Sequence, residues 1–134
     1  MIDTLFEDIQ EHLTMLELAV NCSEKIRNFA KNENVEGVVR ETENRERIVN
    51  IVAQIQRKVE DKINLLEQSD ISKEGVNILK AWFHDLSILT ERMLVCDRET
   101  VEFLSQQKEE TTKEIAMIFK NKQIFKGYNH ETKK

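Results

Sequence analysis

Three histidines and two cysteines are the side chains with which this sequence could build a metal site or a nucleophile. Carboxylate-bridged metal sites in helical bundles place a glutamate three residues before a histidine on each of two helices, so that both ligands project from one face. Three residues before His12, His84 and His130 stand Ile9, Ala81 and Gly127, none of them acidic. His84-Asp85 is a lone dipeptide with no further ligand cluster around it, and is expected at the surface. His12 borders an apolar stripe and is expected at its edge. Cys22 and Cys96 lie in helical patterns without a CxxC spacing, so buried free thiols in a reducing compartment are expected. No glycine-rich phosphate loop, no GxSxG and no Cys–His pairing of known context occurs. A non-enzymatic protein without a cofactor is the expectation.

The elements that hold these residues are helical throughout. Proline is absent, glycine occurs three times, and 34% of residues are charged. With 40% apolar residues in 134, the chain is long enough for one domain with its own core. The expected architecture is all-α: an elongated antiparallel bundle of three long helices with a C-terminal helical extension.

The first helix is expected over residues 4–31, opened by a capping box at Thr4-Leu5-Phe6-Glu7. Its apolar face is Leu5, Ile9, Leu13, Leu16, Val20, Ile26 and Phe29. Asn32-Glu33-Asn34 breaks the pattern, with Asn34 as N-cap of a second helix over 35–67. The buried face expected there is Val38, Val39, Val49, Val52, Ile55, Val59, Ile63 and Leu66. The run RETENRER (40–47) interrupts that face, and Arg45 stands where an apolar residue belongs. It either protrudes past its neighbours or lays its alkyl stem over the core.

The third helix follows Ser69-Asp70-Ile71-Ser72, with Asp70 or Ser72 as N-cap. Val76, Leu79, Phe83, Leu86, Met93, Val101, Leu104, Ile115 and Ile118 are expected on its buried face. Trp82 and Phe83 point in adjacent directions, so one fills the core and the other flanks it. A helix of over forty residues spans roughly 60 Å, against roughly 45 Å for the other two. The third helix therefore either overhangs the bundle or breaks. Cys96-Asp97-Arg98, which carries an acid on the apolar face, and QQKEETTKE (106–114) are the candidate bends.

Charge is uneven. The net charge is −5, yet residues 120–134 hold five lysines and one glutamate, which leaves −9 on the remainder. An acidic body argues against general nucleic-acid binding. The sequence divides into a helical bundle over 1–119 and a basic tail over 120–134. The opening MIDTLFEDIQ lacks a basic stretch before an apolar run, so it does not read as a signal peptide, and no apolar run is long enough to span a membrane. Ile115, Ile118 and Phe119 form a stripe that Phe125 continues, and an exposed stripe of this kind suits a partner helix. Past residue 119 the first two helices do not reach, so Ile124, Phe125 and Tyr128 are either exposed for that partner or folded back over the bundle.

The chain resembles the flagellar type III export chaperones of the FlgN and FliT kind. The resemblance lies in LFEDIQEHLTMLELAVNCSEKI, in ETENRERIVNIVAQIQ, and in DRETVEFLSQQKEETTKEI followed by KGYN. It implies a small cytoplasmic chaperone that binds the helical termini of a hook-associated or filament-cap protein, keeps them unassembled, and delivers them to the export apparatus. It also implies contacts at Ile115, Ile118, Phe119, Phe125 and Tyr128. The competing expectation is a structural or signalling coiled coil that acts by forming homo-oligomers through the overhang of the third helix.

Overall fold

The structure is a computed structural model, and it describes residues 2–66 and 71–121. Three helices account for almost all of these: α1 (Ile2–Lys31), α2 (Val35–Leu65) and α3 (Lys73–Asn121). The described residues contain no strand. None of the helices is long and apolar enough to cross a membrane.

α1 is the shared partner of the other two. Its buried residues include the adjacent pairs Asp8/Ile9, Ala19/Val20 and Cys22/Ser23. Neighbouring helical positions point about 100° apart, so such pairs open two faces on one helix. The small side chains of Ala19, Cys22, Ser23 and Ala30 let both neighbours approach. Leu5 and Ile9 of α1 meet Ile55 and Val59 of α2 and Trp82 of α3 in one cluster. Leu16 and Val20 meet Val52 and Leu89 in the next.

Cross-helix pairs give the directions. Between α1 and α2 the partners are Asp8–Lys62, His12–Gln56 and Cys22–Asn44, whose sequence separation falls from 54 to 44 to 22; the two helices are antiparallel. Between α1 and α3 the pairs His12–Trp82, Arg27–Cys96 and Glu24–Arg92 keep a separation of 68 to 70, so these helices run parallel. No Cα of α2 comes within 8 Å of one in α3 among the described residues. Those two helices meet through side chains.

The turn between α1 and α2 is closed by backbone hydrogen bonds. Asn34 N–H donates to the Phe29 carbonyl at 2.8 Å and Glu33 N–H to the Ala30 carbonyl at 3.2 Å. This is a Schellman closure, which needs a left-handed residue, and Glu33 supplies it at φ 60°. Asn34 then serves α2 as N-cap, its side chain accepting from Gly37 N–H at 2.9 Å. Ser72 caps α3, accepting from Gly75 N–H at 3.0 Å. Asp70, the other expected cap, lies outside the described residues. Thr4 is not the N-cap expected of it, because α1 already runs from Ile2.

The apolar face of α1 falls where its spacing places it, with all seven expected residues buried or half-buried. α2 departs at Val39 and Val49, which are exposed. α3 departs more. Val76, Phe83, Val101, Leu104, Ile115 and Ile118 are exposed. The observed seam is Gly75, Trp82, Leu89, Cys96 and Phe103 at one heptad position and Leu79, Leu86, Met93, Thr100 and Gln107 at the other, all buried or half-buried. The expected face mixed this second set with the neighbouring row that begins at Val76 and Phe83. Trp82 fills the core at 2% exposure and Phe83 flanks it at 56%.

α3 also does not bend at Cys96-Asp97-Arg98, nor over 106–114; it is one helix of 49 residues. The two polar residues that interrupt the apolar faces answer each other. Arg45 donates to both carboxylate oxygens of Asp97, at 2.6 and 2.8 Å. The arginine does not protrude, since its side chain is only 25% exposed. It bridges α2 to α3.

Candidate functional site

Two features stand out as places where this fold could do something: a buried polar relay at the centre and an unpartnered end on α3.

The relay begins at His12, which is 0% exposed and so lies in the core rather than at its edge. The Trp82 indole N–H donates to His12 Nδ1 at 3.1 Å. That donor fixes the tautomer: Nε2 carries the proton and faces Gln56 Oε1 at 3.3 Å. The Gln56 amide then donates to Glu60 at 3.1 Å. Burial pushes the His12 pKa below its ordinary value, while the Gln56 hydrogen bond and the Glu60 charge pull it back up. One turn earlier, the Asp8 carboxylate is held by Lys62 and lies 3.8 Å from Lys58. Asp8, His12, Gln56 and Trp82 each find a polar partner on another helix, which suits a device that fixes the register of three helices.

Cys22 and Cys96 are free and buried. Burial is the main cause that raises both thiol pKa values, which disfavours the reactive thiolate. They serve different interfaces: Cys22 Sγ accepts from Asn44 of α2 at 3.7 Å, whereas Cys96 on α3 accepts from Arg27 at 3.8 Å. His84 is exposed, as expected, and His130 lies outside the described residues. No group of three or more histidine, cysteine or acidic side chains is placed to hold a metal ion among the described residues.

The end of α3 is explained by its own heptad. Apart from Phe103, the seam turns more polar after Met93, through Cys96, Thr100 and Gln107. Gln107 donates to the Ala30 carbonyl at 2.5 Å, near the last turn of α1. The next two seam positions are Glu110 and Glu114, both exposed. α1 ends at Lys31, one residue beyond Ala30, and carboxylates at those positions bring nothing to bury, so packing stops there. Residues 108–118 are exposed without interruption. From Gln107 to Asn121 the helix continues for about 20 Å at 1.5 Å per residue. Of the two outcomes the length allowed, the helix overhangs.

On this projecting segment Ile115 is 47% exposed, Met117 64% and Ile118 51%. Ile115 and Ile118 share a face at helical spacing. The same face continues back along the packed part of the helix through Leu104 and Val101, the latter 61% exposed. Phe119 lies on α3. Ile124, Phe125 and Tyr128, together with nearly all of the expected basic tail, lie outside the described residues. The structure thus brings Ile115 and Ile118 onto one accessible stripe. Val101 and Leu104, expected on the buried face, are exposed on the packed part of the helix, outside the projecting end. The signal that separates them from the core is phase: they belong to the heptad rows of Leu94 and Phe83, not to those of Trp82 and Leu79. No family model matches this chain, and neither a curated protein nor a solved structure does.

Proposed function

We propose that this protein is a cytoplasmic export chaperone whose α3 end binds an amphipathic helical terminus of a late flagellar substrate, a hook-associated or filament-cap protein, and holds it unassembled before delivery to the export apparatus. The observation that carries the reading is the projecting stripe. A helix that leaves its own bundle with isoleucines uncovered has apolar surface to offer another helix. Burying one such side chain contributes about 1.5–3 kcal/mol. A few of them, set against the cost of association, give binding that can be undone, which a protein that must surrender its client requires. The resemblance of the sequence to export chaperones supplies the client class. Phe119, Ile124, Phe125 and Tyr128 extend the contact surface in this reading. It assigns the protein neither catalysis nor a cofactor.

The test is calorimetric titration of the full chain with C-terminal helical segments of hook-associated and cap proteins. Binding is expected to be weakened at least about tenfold by Ile115→Ser combined with Ile118→Ser, by loss of two apolar anchors. Urea unfolding of the double variant should match that of the parent, because both side chains are exposed. Undiminished binding by the variant, or no binding by the parent, refutes the assignment of this site.

A further inference from the structure

We propose that the outward stripe of α3 also joins two copies of this chain as an antiparallel pair. This goes beyond client binding, since it concerns the chain alone. The stripe runs Val101, Leu104, Lys108, Thr111, Ile115, Ile118, in alternating steps of three and four that keep it on one face. All six residues are exposed. Its chemistry reads apolar, apolar, polar, polar, apolar, apolar, and so reads the same in reverse.

That symmetry is what selects a second copy as the occupant. Turned end for end about the midpoint between Lys108 and Thr111, the stripe sets Val101 against the second copy's Ile118. Leu104 then meets Ile115, and Lys108 meets Thr111. Each contact occurs twice, as a two-fold interface requires. A parallel pair would instead place Lys108 against Lys108, which like charges disfavour. The antiparallel register also brings Lys108 within about one helical turn of the second copy's Glu114. Neither of those side chains has an ion-pair partner among the described residues. The division of the stripe supports the same arrangement. Val101 and Leu104 lie on the part of α3 that packs on α1, and Ile115 and Ile118 on the part that projects. Each projecting end would therefore lie over the packed part of the other copy and find there the apolar neighbours its own bundle does not supply. A client helix and a second copy would compete for Ile115 and Ile118.

Sedimentation equilibrium of the full chain between about 10 µM and about 1 mM tests this. A concentration-dependent dimer is expected. Val101→Glu, on the packed part and outside the proposed client contacts, should shift it to monomer. The urea midpoint, followed by Trp82 fluorescence at about 1 µM, below the concentrations at which the dimer forms, should stay unchanged. Thr111→Glu places a carboxylate opposite Lys108 twice over and should tighten the dimer roughly four-fold. In a parallel pair the same change would set carboxylate against carboxylate and weaken it. A monomer throughout the range, a dimer indifferent to Val101→Glu, or weakening by Thr111→Glu overturns the proposal. Client titration of the parent reads the other proposal separately: a parent that stays monomeric throughout the range yet binds client overturns the dimer and leaves the chaperone reading standing, and a dimer that binds no client does the reverse.

Discussion

Acidification should destabilise this protein through a single buried imidazole. His12 is fully buried, and its Nδ1 already accepts the Trp82 indole proton. A proton added at Nδ1 would set two N–H donors against each other with no water between them. Burial accordingly holds the His12 pKa below 6.5 in the folded state, opposed in part by Gln56 and Glu60. The sign follows from linkage. In the unfolded chain the imidazole takes its proton near pH 6.5, before the folded state can. His12 therefore contributes stability that is fully present above about pH 6.5. That contribution falls as pH drops from there towards the folded pKa, and is gone below it. The slope from one group is at most about 1.4 kcal/mol per pH unit.

Urea unfolding between about pH 8 and about pH 5 measures it, with the lone tryptophan as the probe, since Trp82 is itself the donor. His12→Gln removes the titration while keeping a polar side chain, and its unfolding free energy should flatten across the window below pH 6.5. Other groups that protonate there act in both proteins and drop out of the difference. Equal pH slopes in the parent and the His12→Gln variant would refute the argument. At neutral pH, Trp82→Phe should cost about 2 kcal/mol or more, because it leaves a buried acceptor unpaired and opens space beside it.

Three further outcomes follow from the geometry. A double-mutant cycle of Arg45→Ala with Asp97→Ala should give a coupling of about 1–2 kcal/mol: the pair is bidentate, but at 25% and 37% side-chain exposure it lies between surface and buried ion pairs. A coupling indistinguishable from zero would mean that the bridge does not tie α2 to α3. Gly37→Ala should lower the thermal midpoint despite the better helix propensity of alanine, since the new methyl would lie 2.6 Å from the Phe29 ring; a raised midpoint would show that the ring gives way freely. Glu33→Gly should do the reverse, stabilising by about 0.5–1 kcal/mol, because glycine adopts the left-handed φ of 60° without a Cβ penalty, and a loss of stability would contradict it.

Much of this molecule is written in short stretches of its sequence. Helix spans, the break at Asn32-Glu33-Asn34, the caps Asn34 and Ser72, and the apolar face of α1 all depend on residues within a turn or two of one another. Local spacing is enough to read them. The length mismatch that leaves α3 without cover is likewise a matter of counting residues at 1.5 Å each. Phase is different. Trp82 and Phe83 are neighbours in the chain with nearly equal claims to the core, and only the position of α1 decides that the seam takes Trp82 and leaves Phe83 out. The same decision released Val101 and Leu104 to the surface. Arg45 and Asp97 each look misplaced on their own helix, and become a matched pair only when the fold brings together side chains 52 positions apart. His12, read as a boundary residue, is buried because Gln56 and Trp82 arrive from two other helices with a hydrogen bond for each ring nitrogen. Local periodicity sets which residues can share a face; which face is buried depends on the neighbours that come to cover it.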